Sequence, residues 1–142
     1  MKILHTSDLH IGKRANEYAL LEEQEFVLKQ IIDIAQSEKP DAIILAGDIY
    51  DKSIPSAEAV SLFDDFLVNL AKFGKDIFII SGNHDSAERI AFASRIMEAS
   101  KIHLSPVFNG KIAPIILNDG ETELAVYMLP FIKPAIVQHF AD

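Results

Sequence analysis

Cysteine is absent from all 142 residues, which excludes a disulfide framework, thiolate zinc sites and cysteine nucleophiles. No apolar run approaches the roughly eighteen residues needed to cross a bilayer, so no membrane contact is expected. The opening Met1-Lys2-Ile3-Leu4-His5 lacks the apolar core and small-residue cleavage site of a secretory leader. Repeats, low-complexity tracts and linkers rich in Gly, Ser or Pro are missing. There is no Gly-x-x-x-x-Gly-Lys loop either, so any ATP hydrolysis would belong to a partner. The expectation is a soluble, cytoplasmic protein.

Positive charge is scarce. Thirteen Lys and Arg face 21 Asp and Glu, giving a net charge of −8, and Lys13-Arg14 is the only adjacent basic pair. A general electrostatic grip on nucleic acid shows as a basic patch or stripe, and none is seen. If phosphates are the substrate, bound metal ions must neutralise them. With 49% hydrophobic and 24% charged residues, the chain is globular, and its length suits one domain.

What is present is an alternation of strand, loop and helix. Ile3 to Thr6 is a short first strand. A helix is expected from about Glu17 to Ser37, with Leu20, Val27, Ile31 and Ile34 at helical spacing, and Pro40 discourages its continuation. Ala42 to Ala46 and Ile77 to Ile80 are continuous apolar runs, as strands buried on both faces require. Between them Ser53 to Ser56 starts a helix that continues through Val60, Phe63, Leu67 and Leu70 and ends at Gly74. A helix from about Ser86 to Ala99 follows. Then come short strands at Ile102 to Leu104, Ile112 to Leu117 and Leu124 to Leu129, with Asn118-Asp119-Gly120 as a hairpin turn. Ala135 to Asp142 reads as a further helix. The class is α/β, with a mixed, mostly parallel sheet and an antiparallel element near the end.

Ligands in open α/β sheets bind beyond the carboxyl ends of the strands. Each of the first three strands ends in a polar cluster: Ser7-Asp8-Leu9-His10, Gly47-Asp48-Ile49-Tyr50-Asp51 and Gly82-Asn83-His84-Asp85. The i, i+2 spacing of Asp8 and His10 puts both side chains on one side of an extended chain. Gly47 and Gly82 stand where the backbone must turn sharply or approach a ligand. Carboxylate, imidazole and carboxamide without sulfur suit manganese, iron or zinc. Two dications ~4 Å apart repel by about 17 kcal/mol at an effective dielectric of 20, so a dinuclear site needs a bridging anion. Asp48, in the middle cluster, is the candidate bridge. Each motif alone has a bland reading as a turn or loop cap; the three in order, each after a buried strand, point to a site.

These three motifs resemble those of the calcineurin-like metallophosphoesterases, which run Asp-x-His, Gly-Asp-x-x-Asp and Gly-Asn-His-Asp before two later histidine motifs. The flanking Ile3 to Gly12, Ala46 to Asp51, Ile54 to Ser56 and Ser81 to Ser86 are similar to the DNA-nuclease subunits of that family, which act with an ATPase partner. The resemblance implies the first part of an αββα sandwich. It also implies that Asp8 and His10 bind a first metal, that Asp48 bridges and that Asn83 binds a second. His84 would sit beside the scissile phosphate as acid or charge stabiliser, and Asp51 and Asp85 would orient the ligands. The metal implied is Mn2+, two ions in a complete protein. The later Gly-His and Gly-His-x-His motifs are absent, so the first metal would keep three protein ligands and the second two, and this chain could hold one ion. Residues 1–142 are accordingly expected to be the N-terminal part of a nuclease domain, with an exposed apolar sheet face or edge that favours a homodimer.

Three functions follow. The first is a DNA exonuclease and endonuclease subunit acting at double-strand ends and hairpins, in repair and recombination. The second is a phosphatase or phosphodiesterase acting on a small molecule or phosphoprotein. The third is an inactive module serving assembly alone. Other residues have plainer roles. Glu22, Glu23 and Glu25 read as a solvated helix face, and Asp64 and Asp65 as helix residues away from the strand ends. His5 reads as a core histidine, His103 as a strand residue and His139 as a helix-surface residue. Phe26, Phe63, Phe66, Phe78 and Phe92 read as core.

Overall fold

A computed structural model describes residues 1–92 and 94–140. In chain order come β1 (Ile3–Thr6), the two-residue strands β2 (Arg14–Ala15) and β3 (Tyr18–Ala19), α1 (Leu21–Glu38), β4 (Ala42–Ala46), α2 (Ala57–Ala71) and β5 (Asp76–Ile80). The short helices α3 (Ala87–Ile90) and α4 (Ser94–Met97) lead to β6 (Ile102–Leu104). The strands β7 (Ile115–Asn118) and β8 (Glu123–Val126) and the helix α5 (Pro134–His139) follow. The central sheet runs β1-β4-β5-β6, every pairing parallel. The antiparallel pairs β2-β3 and β7-β8 are separate ribbons.

The apolar runs make this sheet because both of its faces are covered. Ile43, Leu45, Ile77 and Ile79 point to the helices and pack with Leu28, Phe66, Leu67 and Leu70. Their strand neighbours Ala42 and Phe78 point the other way, onto Leu117 and Met128 of the hairpin layer. The alternation follows from the two-residue period of a strand. Helix α2 begins where expected: Ser56 is extended, and its hydroxyl accepts from the Ala59 N–H. Helix α1 stops at Glu38 because Lys39 is left-handed and Pro40 follows.

Several elements depart from the sequence expectation. Helix α1 starts at Leu21, not Glu17, because Asn16 takes a positive φ of 56° and turns β2 back on β3. Its buried stripe is Leu28 and Ala35, with Ile31 and Ile32 beside them. That stripe is one residue out of phase with the expected one, so Val27 and Ile34 are half exposed and Phe26 is exposed. Val60 is half exposed as well, since Ala59 takes the inward position in α2. The expected helix from Ser86 to Ala99 is interrupted. Phe92 N–H bonds to Arg89 O and Ser94 N–H to Ala91 O, tightened i−3 contacts, and Phe92 and Ile96 are exposed rather than buried among the described residues. Strand β7 begins only after Pro114, which cannot donate to a ladder. Helix α5 opens on Pro134, and the last two residues of the helix expected there lie outside the described residues. His5 is exposed on β1, not core.

Candidate metal centre

The three polar clusters meet at the carboxyl ends of β1, β4 and β5. Backbone bonds carry the first loop on the second: Asp8 N–H donates to Gly47 O (3.1 Å), His10 N–H to Asp48 O (2.9 Å) and Ile11 N–H to Ile49 O (2.9 Å). This pairing ends in a parallel bridge between Ile11 and Tyr50, so two loops extend the sheet past its strands. Asp8, His10 and Asp48 all have positive φ (57°, 45° and 48°), a left-handed conformation uncommon outside glycine, in which Asp and His are among the better tolerated side chains. Backbone strain of this kind persists where surrounding structure imposes it.

Within this frame one donor atom each of His10, Asp48 and His84 lies within 4.8 Å of the other two. His10 Nε2 is 3.8 Å from Asp8 Oδ1 and 3.8 Å from Asp48 Oδ2, too far for hydrogen bonds. An ion with bonds of ~2.1 Å spans such a gap. His10 Nδ1 is buried with no hydrogen-bond partner among the described residues and is 3.7 Å from Asp51 Oδ1. A nitrogen-and-oxygen donor set, with carboxylates facing an imidazole they do not bond, fits a divalent cation of intermediate hardness.

His84 is exposed, and its ring meets His10 edge-on at 4.9 Å. Its backbone N–H donates to Asp48 Oδ1 (3.0 Å), and its ring Nδ1 is 2.9 Å from the Asp51 carbonyl. The hydrogen bond to that carbonyl raises the imidazole pKa most; desolvation opposes it, and the charges of Asp48, Asp51 and Asp85 add to the rise. Asp85 sits beneath the centre and accepts from Ile49 N–H (3.0 Å), Tyr50 N–H (2.9 Å) and Gly82 N–H (2.9 Å). One carboxylate thus fastens the second loop to the third. Gly82 leaves the room this needs, since a Cβ there would overlap the Asp48 carboxylate and backbone nitrogen.

The structure therefore gathers Asp8, His10, Asp48, Asp51 and His84 around one point and places Asp85 behind them. Asn83 lies in the same loop but is exposed, and its side chain makes no hydrogen bond among the described residues. His103 is elsewhere, paired with Asp76 at 2.8 Å and stacked on Phe78. The sequence reading missed Gln24. Its Oε1 accepts from Gly12 N–H (2.9 Å), and its Nε2 donates to the Leu9 and His10 carbonyls (3.2 and 2.7 Å), which locks the first loop onto α1. A signal did exist: a glutamine between Leu21 and Leu28 interrupts an otherwise apolar stripe.

Residues 1–130 match the family model described as calcineurin-like phosphoesterase. A protein from Staphylococcus saprophyticus subsp. saprophyticus, named as a subunit of the nuclease SbcCD, is 34% identical over 144 aligned positions, covering all of this chain and 37% of the relative. Its namesake from Staphylococcus epidermidis is 36% identical over 141 positions, covering 99% of this chain and 37% of the relative. The chain spans little more than a third of the length of these curated relatives.

Proposed function

We propose that this chain, which belongs to the calcineurin-like phosphoesterase family, carries the metal-binding core of a Mn2+-dependent DNA nuclease. Such an enzyme hydrolyses phosphodiesters at double-strand ends and hairpins, as exonuclease and endonuclease, in repair and recombination. Its partners on this reading are DNA, an SbcC-like ATPase subunit and a second copy of itself, and its setting is the cytoplasm. The observation that carries the reading is the convergence of His10, Asp48 and His84 at the ends of three parallel strands. The two nuclease-named relatives favour DNA over other phosphate esters.

On this reading Asp8 and His10 would hold one ion, Asp48 would be shared, and Asn83 would reach a second. A bound divalent cation supplies Lewis-acid stabilisation of the charge that develops on the phosphoryl oxygens. The protein's share is positional. Gln24 and Asp85 fix the loops that aim the donors, as outer partners of metal ligands do. The Asp51 carbonyl holds His84 Nδ1, which orients the ring and leaves Nε2 for the departing oxygen.

A calorimetric Mn2+ titration of the chain and of Asp48→Ala tests the centre; binding that survives the substitution rejects it. Cleavage of linear duplex DNA, compared with an aryl phosphodiester, tests the substrate. Hydrolysis of the small ester alone selects a phosphodiesterase, and metal binding with neither activity selects an assembly module. A monomeric mass by light scattering at high concentration rejects the homodimer.

A further inference from the structure

Beside the centre lies a cleft of about 440 Å³ between the β2-β3 ribbon and the loop that leads into α2. Its walls include Gly12 and Arg14 from the first side and Asp51, Lys52 and Ser56 from the second. Asp51 belongs to both places, because its carbonyl holds His84 and its carboxylate approaches His10 Nδ1. Asp51 therefore stands between the cleft and the metal centre.

Two of the chain's 13 Lys and Arg therefore lie beside the centre, in a chain of net charge −8. Among the described residues neither Arg14 nor Lys52 is paired with a carboxylate, so both charges are available to a ligand; the one lysine or arginine there with such a partner is Lys2, on Glu38. Arg14 Nη2 donates to the Glu17 carbonyl across its own ribbon, which steadies the guanidinium and leaves other donors free. Two anions share the lining: Asp51, turned to the centre, and Glu58, which also borders the groove between α1 and α2. The ribbon's alternation separates its two faces. Arg14 pairs with Ala19, which also lines the cleft, while Ala15 pairs with Tyr18. Tyr18, 79% exposed, accordingly stands on the opposite face.

We propose that Arg14 and Lys52 form a phosphate subsite that holds the nucleic-acid strand one step away from the scissile phosphate. This rests on the nuclease reading and adds to it the groups that separate a polynucleotide from a small ester. Arg and Lys suit the task because each neutralises one backbone phosphate and releases a counterion. An acidic protein then needs no broad basic surface, only two cations beside its metals.

The test is the fluorescence anisotropy of a labelled single-stranded DNA oligonucleotide, titrated in EDTA at several salt concentrations. The double variant Arg14→Ala/Lys52→Ala should bind more weakly, with the slope of log affinity against log salt reduced in magnitude by about 1.4, two phosphate contacts' worth on a single strand. Tyr18→Ala, on the ribbon's other face, should keep both affinity and slope. An unchanged slope in the double variant overturns the subsite while leaving the nuclease reading intact. If the unaltered chain binds no oligonucleotide yet hydrolyses an aryl phosphodiester with Mn2+, both the subsite and the nucleic-acid reading fall.

Discussion

The two ends of the central sheet treat charge in opposite ways. At the amino ends the carboxylates are matched. Asp41 accepts from the Lys2 N–H at 2.6 Å, Asp76 bonds His103 at 2.8 Å, and Glu38 meets Lys2 at 3.1 Å. At the carboxyl ends Asp8 and Asp48 stand 3.8 Å from His10 Nε2 without bonding it, and His10 Nδ1 is buried without a partner among the described residues. One end is arranged for stability and the other for a ligand. The loops at this end are held by a neutral amide and one carboxylate: Gln24 on the first loop and Asp85 on the second and third.

The sharpest way to break this contrast is Gly82→Ala. The added Cβ would meet the Asp48 carboxylate and backbone nitrogen closer than real contacts allow, so a stability loss of about 3 kcal/mol is expected, with Mn2+ binding abolished. Chemical denaturation and calorimetry read the two effects. A variant as stable as the parent would show that the loops at the carboxyl ends are not tightly held. Asp85→Ala comes next. It leaves three loop amides without their acceptor and should cost about 2 kcal/mol. Mn2+ affinity should drop about 10- to 100-fold, the usual effect of losing an outer-shell partner. Loss of stability with undiminished affinity would mean that Asp85 supports the fold alone.

The same contrast separates what could be read in the sequence from what could not. The apolar runs at Ala42 to Ala46 and Ile77 to Ile80 have the length and continuity of strands buried on both faces, and each polar cluster follows its strand directly. The meeting of the clusters was therefore legible once the sheet was. The helix faces were less so. Leu20, Val27, Ile31 and Ile34 keep helical spacing, yet the stripe through Leu28 and Ala35 is buried, because Gln24 must reach the Leu9 and His10 carbonyls. A polar anchor set the rotation of α1, and periodicity weighs only apolar residues. The β2-β3 ribbon was missed for a similar reason: its turn depends on one positive φ at Asn16.

The two ends should also fail at opposite limits of pH. Burial, then the charges of Asp85 and Asp64, push the Tyr50 phenol up to about 12. A group whose folded pKa lies above its unfolded value, about 10, contributes fully below the unfolded value and loses that contribution as pH rises towards the folded one. Stability should therefore decline between pH ~10 and ~12, and Tyr50→Phe should flatten that limb. Alkaline denaturation curves of the two proteins check it. Parallel curves would remove Tyr50 from the account.

The acid limit belongs to the other end and gives the smallest effect. The Asp119 carboxylate accepts from Thr122 N–H (2.7 Å), Glu121 N–H (3.0 Å) and the Thr122 hydroxyl (2.9 Å), and the chain's amino group is 3.4 Å away. These donors, the Thr122 amide first, hold its carboxyl well below the ordinary carboxylate range. Here the sign reverses. The unfolded chain takes up the proton first as pH falls, so the contribution is complete above the ordinary range near 4 and is lost as pH drops through it towards the folded value. Solvent exposure keeps it small. Asp119→Asn should speed amide exchange across β7-β8 at neutral pH and leave exchange at Ile49 and Tyr50 as it was. Its stability curve should converge on the parent's at low pH, where the parent's carboxyl is protonated too. If instead the variant loosened the loops at the carboxyl ends, the two ends would be one cooperative unit and the contrast between them would fail.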